Sequence, residues 1–168
     1  AERWNEIRSL HVPEQEVERA LLKLIEVMKI SDFLDVGTGT GRILQLLGDK
    51  IERGFGVDLS REMLALARSA LEESGLKNCR VRQADMYSLP FANSSMDVVA
   101  LHQVLHFAAD PSEVIEECAR VLKPDGRLVA IDFAPHKLEL LREDHAHRRL
   151  GFSDDEVANW YEGAGLTL

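Results

Sequence analysis

Three glycines at alternate positions, Gly37, Gly39 and Gly41, follow an apolar run that carries an acid, Phe33-Leu34-Asp35-Val36. Such a run followed by Arg42-Ile43-Leu44-Gln45-Leu46-Leu47 reads as a buried strand, a tight turn and a helix. Glycine in the turn admits positive φ and lets a ligand reach the backbone with no Cβ in the way. The helix behind it directs its free N–H groups and positive dipole end at whatever binds there. The chemistry indicated is capture of a nucleotide-type cofactor.

The spacing narrows the choice of cofactor. A dinucleotide fingerprint needs glycines in the order G-x-G-x-x-G. Counted from Gly37 the third glycine would fall on Arg42, and counted from Gly39 it would fall on Leu44, so both frames fail. The pattern present, D-x-G-x-G-x-G, resembles the first motif of class I S-adenosylmethionine-dependent methyltransferases.

Three further segments follow in the order that family requires. Gly54-Phe55-Gly56-Val57-Asp58-Leu59-Ser60 is a short strand ending in an acid placed to accept hydrogen bonds from ribose hydroxyls. Ser60 caps a helix with Leu64, Ala67 and Leu71 at helical spacing, stopped by Gly75. In Val81-Arg82-Gln83-Ala84-Asp85-Met86, Asp85 resembles the family's adenine-amine acceptor, and Met86 either packs on the ring or offers its N–H. Met96-Asp97-Val98-Val99-Ala100-Leu101 is a fourth strand, leading into His102-Gln103-Val104-Leu105-His106-Phe107. The resemblance implies S-adenosylmethionine contacts from Asp35, Gly37, Thr38, Gly39, Gly41, Asp58, Leu59, Met63, Asp85, Met86 and His102. An Asp after a strand is by itself as often a turn residue or a cap. Four such segments coincide here, in the order and at the spacing the family requires.

The elements that must position these residues alternate between helix and strand along the chain. The expected fold is α/β and Rossmann-like: a doubly wound, mostly parallel sheet with helices on both faces. One domain fills 1–168, with an N-terminal helical segment over 1–28 and the core over 29–168. An amphipathic helix is expected from Val12 to Val27, with Pro13 in its first turn, and strands near 32–36, 54–58, 79–83, 96–101 and 127–133. Asp110-Pro111-Ser112-Glu113 and Ser153-Asp154-Asp155-Glu156 are helix starts, the second helix ending at Gly163. Lys123-Pro124-Asp125-Gly126 reads as a turn, and Leu166-Thr167-Leu168 as the start of a sixth strand. The expectation is that the chain stops short of the family's antiparallel sixth and seventh strands. The sheet edge is then left open or completed by another chain, as in a homodimer.

Composition bounds the function. The 168 residues suit a single domain with a sizeable core, and the net charge of −9 argues against a phosphate-backbone binder. Arg148 and Arg149 make no basic stripe, and no apolar run nears the ~20 residues that span a bilayer. The start, Ala1-Glu2-Arg3-Trp4, resembles that of an excised or processed domain rather than a signal peptide. Cys79 and Cys118 provide no disulfide framework, and the compartment expected is the cytoplasm.

From Asp35 to about Leu166 the chain resembles the small-molecule branch of these enzymes, which includes quinone-ring methyltransferases. It is more similar still to methyltransferase domains fused behind ArsR-type winged-helix repressors. Ile7-Arg8-Ser9-Leu10-His11-Val12-Pro13, the His102–Phe107 segment, Asp132-Phe133-Ala134-Pro135-His136 and His145-Ala146-His147-Arg148-Arg149-Leu150-Gly151-Phe152 carry that match. It implies a DNA-binding module upstream of Ala1, while this domain itself binds no nucleic acid. The likeness to arsenite methyltransferases is poorer, because their chemistry needs more cysteines than two.

Methyl transfer requires the acceptor's lone pair to be aligned with the S–CH₃ bond for in-line displacement, and the cofactor carries the activated group. A base is needed where the nucleophile is protonated. The candidates are His102, His106 and His136, with Asp132 behind them; His106 is favoured, and a positioning role competes for each. His145 and His147 lie two apart, which on a helix does not bring them together, so no metal site is expected. The leading reading is methylation of a small-molecule acceptor. The alternative is a non-catalytic module that binds S-adenosylmethionine or S-adenosylhomocysteine to regulate an attached repressor. A nicotinamide oxidoreductase has the glycine spacing against it. The acceptor and the methylated atom are matters of the acceptor site, not the scaffold.

Overall fold

Strand-length apolar runs between amphipathic stretches of ten or more residues favour a sheet covered by helices on both sides. The computed structural model describes residues 14–132 and 148–168. In chain order these form α1 (Glu14–Glu26), β1 (Ile30–Val36), α2 (Arg42–Leu47), β2 (Ile51–Asp58), α3 (Arg61–Glu73), β3 (Cys79–Gln83), β4 (Met96–His102), α4 (Pro111–Val121), β5 (Leu122–Ile131) and α5 (Asp154–Gly163). The strands make one parallel sheet in the order β3-β2-β1-β4-β5. The winding direction reverses between β1 and β4, and the crevice at the carboxyl ends there is the place such a fold offers a ligand.

Alternation along the strands divides the core. Leu34, Val36, Val99 and Leu101 pack with Val114, Ile115 and Cys118 of α4 and Tyr161 of α5. Phe33, Val98 and Ala100 point the other way, toward Leu21 and Ile25 of α1, Leu44 and Leu47 of α2, and Leu71 of α3. Three helix starts follow the sequence signals. Ser60 accepts from Met63 N at 3.2 Å, Asp110 from Ser112 N at 3.0 Å, and Ser153 and Glu156 form a reciprocal capping box.

Three boundaries differ from expectation. β2 begins at Ile51 rather than 54, because Ile51 pairs with Ile30 and Arg53 with Asp32. The charged Glu52 and Arg53 hid that extension. The expected turn at 123–126 lies inside β5 as a bulge: Met96 faces Leu122, Val98 faces Arg127, and Asp125 takes φ +64°. Leu166–Leu168 forms no strand. Its first amide is used instead to close α5, with Leu166 N donating to Tyr161 O at 2.8 Å and Gly165 at φ +75°. Residues 12–13 of the expected first helix and residue 133 of the last expected strand lie outside the described residues.

A charged cluster ties four strands at their amino ends. Arg53 donates to both carboxylate oxygens of Asp32 at 2.7 and 3.0 Å, and Lys123 bridges Asp32 (3.1 Å) and Asp97 (3.0 Å). Asp97 Oδ2 also accepts the Ser31 and Asp32 amides at 3.1 and 2.8 Å. The Arg53 hydrogen bond holds the Asp32 carboxyl below its ordinary range against the effect of burial, and Lys123 adds to it. Burial pushes the Asp97 carboxyl up, but the two amides and Lys123 together outweigh it. Lowered carboxyl pKa values contribute stability that is present above the ordinary carboxylate range and lost as pH falls through the lowered values. Asp97→Ala strands two β1 amides and leaves Lys123 with Asp32 as its one carboxylate partner in the cluster, so it is expected to cost about 2–3 kcal/mol in denaturant unfolding at neutral pH. The difference should shrink as pH falls below about 4; a cost under about 0.5 kcal/mol would show that the cluster is a solvated surface feature.

Candidate cofactor site

The glycine turn after β1 is shaped by two close approaches. Gly37 takes φ +73°, and a Cβ there would fall 2.5 Å from Val104 Cγ2, so only glycine lets the β4–α4 connection pack on the turn. Gly39 takes φ +52° and has no heavy atom within 4 Å of where a Cβ would be, which leaves its backbone open to the crevice. The turn is anchored to β2: the Gly37 and Thr38 amides donate to Val57 O at 2.8 and 2.9 Å. Gly39 N then donates to Asp58 Oδ2 and Ser60 N to Asp58 Oδ1, both at 2.9 Å. Each carboxylate oxygen retains a lone pair for a ligand hydroxyl.

These elements bound a cleft of about 370 Å³ at the switch point. Of the residues predicted from sequence, Gly37, Gly39, Asp58, Leu59, Met63 and Met86 line it. Thr38 is buried, and Gly41 caps α2 with φ +79° against Ala67, so both shape the turn from behind. Asp85 is exposed, and its Oδ1 accepts Tyr87 N at 3.0 Å, an Asx turn that starts the β3–β4 connection. His102 continues the Val98 and Ala100 side of β4 and lies near Glu18 of α1. Glu18 in turn grips Arg42 at 2.6 and 2.9 Å, the position where a dinucleotide fingerprint would need glycine. Lining residues that sequence reasoning missed are Val36, Val57, Ala84, Gln103, Val104 and Phe107. Gln103 adopts φ +54°, a conformation uncommon for a residue with a Cβ, and its amide donates to Ile131 O at 2.7 Å. No single-sequence signal marks that strain.

His106 does not line the cleft; it is 3% exposed and lies beside Phe107, whose ring centroid is 4.1 Å away. Its Nδ1 is 2.8 Å from Asp132 Oδ1, and its amide donates to Asp132 Oδ2 at 3.3 Å. A carboxylate at Nδ1 fixes the proton there and makes Nε2, on the opposite ring edge, the basic nitrogen. His106 O accepts the Arg148 and Arg149 amides at 2.9 and 3.2 Å. Among the described residues no group of three or more His, Cys, Asp or Glu is placed to hold a metal ion. His136, His145 and His147 lie outside those residues.

Asp35 lies beneath the turn, 1% exposed. Its Oδ1 and the Thr38 Oγ1 are both buried with no hydrogen-bond partner. Burial pushes the Asp35 carboxyl up to about 7, and the Asp58 charge adds to it. Its folded pKa is raised, so its contribution is fully present below the ordinary 3.8 and lost as pH rises through about 7. That interval corresponds to about 4 kcal/mol. Wild-type stability in denaturant, measured relative to Asp35→Asn, is expected to fall by up to about that amount between pH 4 and 8. A pH-independent difference would contradict the buried, protonatable carboxyl.

Comparison with known proteins identifies the family. Residues 34–130, more than half of the chain, match the family described as a methyltransferase domain. The uncharacterized methyltransferase YcgJ of Bacillus subtilis is 34% identical over 116 residues, covering 68% of this chain and 46% of its own. Its crystal structure superposes with a TM-score of 0.81 at 28% identity, covering 90% of this chain and 68% of that one. Phosphatidylethanolamine N-methyltransferase of Cereibacter sphaeroides is 35% identical over 128 residues, 73% of this chain and 63% of that protein. Demethylmenaquinone methyltransferase of Thermus thermophilus is 36% identical over 104 residues, 61% of this chain and 47% of that protein. The chain thus spans about half to two thirds of the length of these curated relatives. The five-stranded parallel sheet, the glycine turn pinned to Asp58 and the family match agree: the chain belongs to the class I methyltransferases, whose methyl donor is S-adenosylmethionine.

Proposed function

We propose that this domain transfers a methyl group from S-adenosylmethionine to a small-molecule acceptor by in-line displacement. The observation that carries the reading is Asp58, held at the end of β2 by the Gly39 and Ser60 amides with its carboxylate facing the cleft. The residues present suit the cofactor. Asp58 is assigned to the ribose hydroxyls, Leu59, Met63 and Met86 to the faces of the adenine, and Asp85 to its amine. The turn from Gly37 to Gly41 carries the remainder, with the unpartnered Asp35 oxygen beneath it as a hydrogen-bond acceptor. When bound, S-adenosylmethionine supplies a methyl group already activated on a sulfonium. The chain's own work is to exclude water with Val36, Val57 and Val104 and to hold the acceptor in line.

His106 is proposed as the base for a protonated acceptor, with Asp132 fixing its tautomer and orientation. His102, next to the Glu18–Arg42 pair, is assigned to the cofactor side of the cleft. The relatives act, by name, on a phospholipid amine and on a quinone ring, so the acceptor atom is set by residues outside the shared core. A second reading is favoured by one observation: Asp58 is the single titratable side chain among the described residues lining the cleft. That composition also suits a non-catalytic module that binds S-adenosylmethionine or S-adenosylhomocysteine, as in a repressor fusion. The likeness to ArsR-type fusions supports it through the His102–Phe107 segment and Arg148–Phe152. A homodimer across β5 and a cytoplasmic location are proposed alongside; Cys79 and Cys118 are buried and unpaired, and no described helix is long and apolar enough to cross a membrane.

Two measurements test these assignments. Asp58→Ala should weaken S-adenosylhomocysteine binding in calorimetry by about 100-fold or more, since hydrogen bonds to a charged acceptor are worth about 1.5–3 kcal/mol each. Unchanged affinity would place the ribose elsewhere. In an acceptor screen that reads S-adenosylhomocysteine formation, wild type should turn over. His106→Ala should then lower turnover by about 10²–10⁴-fold, with cofactor affinity nearly intact. Cofactor binding without turnover for any acceptor would favour the regulatory module instead.

A further inference from the structure

The cleft has two walls built from different connections. One follows β3 and contributes Ala84 and Met86; the other follows β4 and contributes Gln103, Val104 and Phe107. The second connection also carries His106, and a short turn at Leu105–Phe107 stiffens it, with Phe107 N donating to Val104 O at 3.1 Å and Ala108 N to Leu105 O at 2.9 Å. Its start is fixed to β5 by Gln103 N on Ile131 O. Its end is fixed across the cleft.

That end is held by Tyr87, one residue beyond Met86. The Tyr87 hydroxyl oxygen accepts hydrogen bonds from Ala109 N at 2.8 Å and Asp110 N at 3.2 Å. Asp110 is also the cap of α4. The Tyr87 amide is tied back to Asp85 Oδ1 at 3.0 Å, so the Asx turn at 85–87 and the phenol move as one piece. The rest of the β3–β4 connection is clamped to the far end of α4. Leu89 N donates to Glu117 Oε1 at 2.7 Å, and Arg120 donates to Leu89 O, Phe91 O and Asn93 Oδ1 at 2.9, 2.9 and 2.7 Å. Among the described residues, the hydrogen bonds from the Met86 wall to the His106 wall pass through the Tyr87 oxygen.

We infer that Tyr87 is a positioning residue that couples occupation of the Met86 wall by cofactor to the setting of the Leu105–Asp110 segment. The inference rests on the reading that S-adenosylmethionine lies against Met86. A ligand there restrains residues 84–87; through one rigid phenol that restraint reaches the Ala109 and Asp110 amides and the turn behind them.

Tyr87→Phe removes the acceptor oxygen, keeps the ring, and frees two amides in an exposed stretch where water can satisfy them, so the fold should survive. The test is backbone amide hydrogen exchange by NMR on wild type and Tyr87→Phe, each free and saturated with S-adenosylhomocysteine. In wild type the ligand should slow exchange at 84–87 and also at 108–110. In the unliganded variant the Ala109 and Asp110 amides should exchange about tenfold faster. With ligand the variant should regain protection at 84–87 but not at 108–110, a result that simple loosening of structure would not produce. Equal ligand-induced protection at 108–110 in both proteins overturns the coupling and leaves the cofactor reading standing. Absence of ligand protection at 84–87 in wild type overturns the cofactor reading and the coupling with it.

Discussion

One carboxylate receives two backbone N–H groups from separate turns: Asp58 accepts from Gly39 and from Ser60 at the end of β2. The contact needs the glycine turn in its positive-φ form, the start of α3 at Ser60, and the register in which Asp35 faces Gly56 and Val36 faces Val57. A slip of the β1–β2 pairing by one residue would turn the Leu34 and Val36 face toward α1–α3 and carry the turn away from Asp58. The sheet therefore resists such a slip with its whole core, and the carboxylate stays at the cleft at no cost to its own solvation. The acidic end of a parallel strand becomes a polar, oriented acceptor in a cleft lined mostly by apolar side chains.

Burial on both faces makes this stiffness available. Phe33, Leu34, Val36 and Val99 are each 0% exposed, and the charged cluster of Asp32, Arg53, Asp97 and Lys123 closes the opposite end of the strands. Stability resides at the amino ends and in the core, while the carboxyl ends carry polar groups left without internal partners, such as Asp35 Oδ1 and Thr38 Oγ1. Unsatisfied buried polar atoms beneath the turn cost folding free energy, which the packed core on both faces of the sheet offsets.

What was legible in the sequence follows the range over which each signal acts. The glycine turn, the Ser60, Asp110 and Ser153 caps and the acid at 58 are local patterns, and each lies where its spacing placed it. The strand ends were less legible because cross-strand pairing decides them: Glu52 and Arg53 look like loop residues until Arg53 meets Asp32. Lys123-Pro124-Asp125-Gly126 has the composition of a turn, but the neighbouring strand carries β5 through it as a bulge. Leu166 has strand character in composition, yet its amide is taken by the end of α5. The apolar cleft residues Ala84, Val104 and Phe107 were invisible for a different reason: they are ordinary side chains brought to one cleft only where the two connections converge. His106 shows the same limit, since its type announced a base while its burial with Asp132 is a property of the fold.

The central claim is that a nucleoside cofactor sits on Asp58 between the glycine turn and Met86. Amide chemical-shift mapping of the wild-type protein with S-adenosylhomocysteine tests it directly, because the Gly39 and Ser60 N–H groups report on that carboxylate. The account predicts saturable shifts largest at Gly39, Ser60 and Met86, with the β5 edge unmoved. Shifts centred on the β5–α5 side, or none at the Gly39 and Ser60 amides at saturation, would contradict it.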